Sequence, residues 1–204
     1  MGKKITEIAV FPLNGALLLP KSNLPLNIFE ERYLSMIDYS LASSKHFGMI
    51  QFENLENEKL YNIGCLGKIT SFNETSDKRY VINLLGTSKF KILKEVSTSK
   101  SFRIFNVELI DNDNYHNLNE SFDRQSLTES VRNYFQKLKI DVDWDYIERI
   151  NNEELINTIS VVCPFENNEK QMLLESQNIN DLADKLISIL EFNNKKTNTN
   201  ESIN

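Results

Sequence analysis

Residues 11–33 read FPLNGALLLPKSNLPLNIFEERY, and they hold three of the chain's 4 prolines. Pro12, Pro20 and Pro25 cut what would otherwise be one long leucine-rich extended run. A proline has no N–H to give to a ladder, so it belongs at a strand end or an edge, and it holds the residue before it extended. The stretch therefore reads as short extended pieces joined by turns. These are EIAVFPL over 7–13, the Asn14-Gly15 turn pair, ALLLP over 16–20 and a Lys21-Ser22-Asn23 loop. Left uncut, a run of that composition would be prone to aggregate. A helix is expected next, over about 28–43. Asn27 and Glu30 have the N-cap and N3 spacing of a capping box, and Phe29, Tyr33, Ile37 and Leu41 recur on one face.

Beyond this stretch the chain reads as short strands. HFGMIQFE (46–53), IGCLGKITSFNE (63–74), RYVINLLG (79–86), KFKILKEV (89–96) and FRIFNVELI (102–110) are expected strands, with Gly86-Thr87-Ser88 between two of them. Gly67 marks a bulge or the close approach of another backbone. Six or seven strands at this spacing suggest a small barrel or sandwich with one inserted helix. The pattern changes after Asp111. A polar linker over 112–123 leads into helical periodicity, with Ser126/Glu129 and Asp145/Glu148 spaced as capping boxes and Leu182, Leu186, Ile189 and Leu190 forming a late apolar stripe. The fold class is therefore α+β, with a β subdomain over 5–111, a linker over 112–123, a helical subdomain over 124–192 and a polar tail over 193–204 expected to be disordered.

With 204 residues, 40% of them hydrophobic and 25% charged, the chain can bury a core without disulfide or metal staples. Cys65 and Cys163 lack Cys-x-x-Cys partners and read as reduced core thiols, which points to the cytoplasm. The net charge of −6 argues against a dedicated nucleic-acid binder. Glu7 and Pro12 interrupt the amino-terminal apolar run before it reaches the length of a signal-peptide core, and no run is long enough to span a membrane.

Motifs for chemistry are scarce. The chain has no Gly-x-x-x-x-Gly-Lys-Ser/Thr loop and no Gly-x-Gly-x-x-Gly. His46 and His116 stand alone, and no nucleophile-elbow motif supports a catalytic triad. DVDWDYIERINN (141–152) places aspartates like a calcium loop, but Tyr146 stands where glycine is needed and Asn152 where a bidentate glutamate belongs. It reads as a solvated helix start, so neither metal nor cofactor is expected.

Two surface features remain. Glu30-Glu31-Arg32-Tyr33 could contact a peptide, or Arg32 could pair locally or pack its stem against the barrel. Lys68, Lys78, Arg79, Lys89, Lys91 and Lys94 lie near Phe72, Tyr80 and Phe90. They could serve RNA or simply line the solvent face of the strands and protect an edge.

Taken in order, FPLNGALLLPKSNLPLNIFEERY, IGCLGKI, KRYVINLLGTSKFKI, FNVELI, CPFENNEKQMLLES and NDLADKLISIL resemble the amino-terminal, substrate-binding domain of Lon proteases over about 5–192. Asn27 stands where many members have His. The resemblance implies a PUA-like β pseudo-barrel with one inserted helix, followed by a carboxyl-terminal helical bundle. It implies a stand-alone member without the ATPase and Ser-Lys protease modules, hence no enzyme. The implied role is recognition of unfolded or damaged polypeptides in protein quality control, or docking to a protease or chaperone that handles them. An extended peptide could lie in a groove through main-chain bonds at a strand edge. Pro25, Phe29, Glu31, Arg32, Tyr33, Leu66 and Lys68 are the polypeptide-contacting residues that the matched motifs imply, and they could equally be structural. The alternative is an RNA-binding module of PUA-like type.

Overall fold

The structure, a computed structural model, describes residues 4–110, 118–119 and 122–201, with side chains to residue 195. It divides into two compact units, one formed by residues 1–112 and 165–174 and the other by 113–164 and 175–204.

In the first unit the order is β1 (Lys4–Pro12), β2 (Asn23–Ile28), α1 (Glu31–Leu41), β3 (His46–Ile50), β4 (Phe52–Asn54), β5 (Lys59–Leu60), β6 (Ile63–Glu74), β7 (Tyr80–Glu95) and β8 (Arg103–Leu109). The main sheet runs β2-β7-β6-β3-β1-β8, and the outer half of β7 also pairs with β8. Five strands thus close into a ring, and β2 is added outside it along β7. All neighbours are antiparallel except β1 and β3, which run parallel. The ring encloses Ile8, Val10, Ile50, Leu66, Phe90, Phe105 and Val107. Phe90 is completely buried, and its ring occupies the space where a Cβ at Gly48 or Gly64 would stand, 2.7 Å and 2.4 Å away.

Three local expectations change. β7 is one strand rather than two. Gly86 lies within it and allows the Leu19 carbonyl oxygen to approach to 2.0 Å from where a Cβ would stand. The Lys21 and Gly86 amides complete the contact, donating to Gly86 O and Ser22 O, each at 2.9 Å. The ALLLP segment is not a strand. Leu17, Leu18 and Leu19 are buried, and Pro20-Lys21 turns the chain with φ +66° at Lys21 and a Ser22 N–H to Leu19 O bond of 3.0 Å. A proline followed by a positive φ is the type II turn pattern. Finally, Asn27 is no helix cap. It lies in β2 opposite Val81, and α1 begins after Glu30, which makes no side-chain cap bond. The Glu30 carboxylate accepts instead from Arg32 Nε at 3.1 Å. Gly67, in contrast, has one of its two expected features: a register shift lies between Leu66 and Gly67, while what approaches it is the Leu84 side chain, 2.4 Å from its would-be Cβ, rather than another backbone.

Helix α5 (Asn167–Leu174), although it falls within 124–192, belongs to the first unit. Lys170 Nζ donates to Gly15 O at 2.6 Å, and Gly15 N donates to Asn167 Oδ1 at 2.9 Å. Gln51 Nε2 donates to Gln171 Oε1 at 3.2 Å, and Gln171 Nε2 to Ile63 O at 3.2 Å. Lys170, Gln171 and Gln51 are all buried, so these bonds replace water that the groups have lost.

The second unit contains α2 (Arg124–Leu138), α3 (Trp144–Arg149), α4 (Asn152–Val162) and α6 (Ile179–Glu201). Leu127, Val131, Leu155, Ile159, Leu182, Leu186 and Leu190 form its core. The caps shift from the expected residues: Asp123 accepts from Ser126 N and Asp143 from Tyr146 N. In both cases an aspartate three residues before the bonded amide is the N-cap, so the expected cap residue falls inside the first turn. The segment 193–201, expected to be disordered, continues α6. Most of the linker expected over 112–123, with His116, lies outside the described residues. No helix among the described residues is long and apolar enough to cross a membrane.

Candidate functional site

The candidate site is the outer face of β2, β7 and β6 in the first unit. Along β2 the side chains alternate. Leu26 and Ile28 are buried, while Asn23, Pro25 and Asn27 are exposed, and the exposed parity continues to Phe29. Across β7 the partners of Asn23, Pro25 and Asn27 are Leu85, Asn83 and Val81. On β6, Lys68 faces Leu85, Ser71 faces Asn83 and Asn73 faces Val81. Period-2 alternation therefore gathers Pro25, Phe29, Val81 and Lys68 on one surface.

A polar seam crosses that surface. Asn83 Nδ2 donates to Asn23 Oδ1 and to Thr70 Oγ1, both at 2.9 Å, and Thr70 Oγ1 donates to Asn83 O at 3.1 Å. At one end Phe29 is 63% exposed, with the Arg79 guanidinium 5.8 Å from its ring centre. Arg79 itself pairs with Asp77 at 2.8 Å. An aromatic ring left this open is held out of the core by the strand's alternation, because its neighbour Ile28 takes the inward position.

The edge of β2 is open along its length, since among the described residues it pairs only with β7. The Gly86 N–H to Ser22 O bond fixes which groups face out. In an antiparallel pair the bonded positions recur every second residue. Leu24, Leu26 and Ile28 therefore turn their main-chain groups to β7, and Asn23, Pro25 and Asn27 turn theirs to the open side. Pro25 stands where its missing N–H breaks no bond within the sheet.

The seven residues implied by the motifs separate into two sets. Pro25, Phe29, Glu31, Arg32 and Lys68 are exposed. Arg32 is committed locally, to Glu30 at 3.0 Å and over the Tyr33 ring at 4.5 Å. Tyr33 and Leu66 are buried. Tyr33 packs edge-on against Phe11 with ring centres 4.3 Å apart; burial pushes its hydroxyl pKa up, against the pull of the Arg32 charge. Leu66 lines the ring interior. Phe29 does not continue the helix face, which is Tyr33, Met36, Ile37 and Ser40. Val81, Asn27 and Asn83 were missed because their role follows from register, which the sequence shows only as alternation. Of the strand cations, Lys89 is buried and Arg79 is tied to Asp77. Among the described residues no cluster of His, Cys, Asp or Glu could hold a metal ion.

This arrangement offers an aromatic and proline-lined surface, amide groups and an open strand edge. Comparison with known proteins agrees with that architecture. The chain belongs to the family described as the ATP-dependent protease La (LON) substrate-binding domain, whose model matches residues 7–191. It is 26% identical over 196 residues to the Lon protease of Buchnera aphidicola subsp. Acyrthosiphon pisum, an alignment covering 90% of this chain and 25% of that protein. It is 22% identical over 203 residues to the Lon protease of Wolbachia pipientis subsp. Culex pipiens, again covering 25% of the relative. The chain thus spans about a quarter of the length of the curated relatives it matches. Among solved structures, a Lon N-terminal domain protein from Xanthomonas campestris superposes with a TM-score of 0.65 at 19% identity, over 90% of this chain and 98% of that one. The N-terminal domain of Mycobacterium avium complex Lon protease gives 0.64 at 17%, over 91% and 98%. These two likenesses establish the fold.

Proposed function

We propose that this domain binds unfolded or damaged polypeptides in cytoplasmic protein quality control, acting by recognition rather than by catalysis, either on its own account or docked to a protease or chaperone. The observation that carries the reading is the exposed Phe29 ring beside Pro25 and Val81, next to the open edge of β2, in a family described by substrate binding. Apolar side chains of an extended client meet Phe29, Pro25 and Val81. Its main chain meets the edge groups of Asn23 and Asn27, the pairing mode by which strands add to open sheets. Such binding tolerates many sequences because the main chain is common to all of them.

The test is fluorescence anisotropy of a labelled, permanently unfolded protein, reduced and carboxymethylated α-lactalbumin, titrated at low and high salt. Saturable binding that survives high salt is expected. Absence of binding at tens of micromolar overturns direct client recognition. If only an RNA probe binds, and its affinity falls steeply with salt, a nucleic-acid module replaces it.

A further inference from the structure

The second unit holds a cavity that the β2 surface does not use. Its floor is Ile147 and Ile159, both buried, and its mouth carries Ile140, Tyr146 and Val162, which are 40%, 42% and 58% exposed. Its volume is about 270 Å³. Drug-sized sites begin at roughly 300 Å³, so this one admits one or two side chains rather than a whole small molecule.

The cavity is preformed by local structure. Lys139 ends α2 with φ +55°, and Ile140 N donates back to Phe135 O at 3.0 Å. This left-handed cap turns residues 140–143 across the end of the helix. Asp143 accepts from Tyr146 N at 2.9 Å, and the Tyr146 hydroxyl donates to Glu154 Oε1 at 3.2 Å. Ring and loop are thereby held apart with an apolar gap between them.

The charged residues that line the gap have one sign. Asp141 and Asp143 line it, and no Lys or Arg does so among the described residues. A carboxylate pair over an apolar hole complements an apolar side chain flanked by cations and repels one flanked by carboxylates.

We propose that this cavity is a second polypeptide subsite, selecting a bulky apolar residue flanked by Lys or Arg. The proposal rests on the polypeptide-binding reading and adds a sequence preference to it. The full chain is titrated with two labelled peptides, GKKFLKKGG and GEEFLEEGG. The basic peptide should bind about fivefold or more tightly at low salt, on the scale of exposed charge pairs. Asp141→Lys, which reverses a charge that caps no helix, should abolish that preference, and Val162→Arg should block the mouth for both peptides. Melting curves check that each variant folds, and both positions are exposed. If both peptides bind alike, or if neither substitution changes binding of the basic peptide, the subsite is overturned. Should unfolded α-lactalbumin still bind in that case, and lose its binding in Phe29→Ser, the general reading stands without it. If neither peptides nor unfolded protein bind, both fall together.

Discussion

Lys170 reaches across 155 positions of sequence to place its ammonium 2.6 Å from the carbonyl oxygen of Gly15. The same glycine gives its own amide to Asn167 at 2.9 Å. Helix α5 is fastened to the Asn14-Gly15 turn by this reciprocal pair, and through Gln171 to the start of β6. Removing the ammonium while keeping the stem leaves the Gly15 carbonyl without this donor. Lys170→Met is expected to cost about 1–3 kcal/mol, read as a lower urea midpoint with an unchanged slope.

Gly86→Ala tests the closest approach in the ring. Its new Cβ would lie 2.0 Å from Leu19 O, which is backbone and cannot swing away. A loss of about 3 kcal/mol or more is expected. Gly15→Ala meets nothing within 4 Å and pays only for its φ of +80°, so thermal unfolding should rank the two variants in that order.

Phe29→Ser and Tyr33→Ala separate binding from folding. Phe29 is mostly in solvent, so its loss should leave the melting temperature nearly unchanged and weaken unfolded-polypeptide binding severalfold or more. Tyr33 is buried against Phe11, so its truncation should cost about 3–5 kcal/mol and lower binding only through loss of folded protein. The opposite pattern in paired melts and titrations would mean that the site was assigned to the wrong side of the helix start.

Arg103 grips Glu95 with two bonds of 2.8 Å, and those bonds hold the Glu95 carboxyl below the usual carboxylate range. A depressed folded-state pKa contributes stability that is fully present above the unfolded value and is lost as pH falls through the folded one. Glu95→Gln should therefore narrow the stability gap between pH 7 and pH 3, measured by denaturant titration at each pH.

Burial pushes the Cys65 thiol up to about 12, and Cys163 is also buried and in no disulfide. A thiol needs its thiolate form to react. At pH 8 the native protein should resist alkylation by iodoacetamide, and both cysteines should become labelled in urea.

Much of the architecture was legible in the chain, and the misses have physical causes. The bounds of β6 follow from its glycines and alternating residues. The helices after Arg124 follow from their apolar stripes. The division of β7 failed because Gly-Thr-Ser in sequence looks the same whether the glycine turns the chain or admits a neighbouring carbonyl. The Asn27 cap failed because residues 23–28 gain a full set of pairings with β7, which outweighs one capping bond. In the candidate site, Pro25, Phe29 and Lys68 could be named from local motifs. Their convergence on one face needed the register of three strands, and that is set by partners about sixty positions away, as the Asn23–Asn83 bond illustrates.

Pro25 has a consequence for traffic. The outward main chain of β2 can donate only from Asn23 and Asn27, four residues and roughly 13 Å apart. A visiting strand meets a ladder that lacks the donor at its middle position, where only the Pro25 carbonyl can bond. An edge interrupted in this way disfavours pairing with a second copy of the domain. On the polypeptide-binding reading proposed above, the proline would keep each visit to β2 brief.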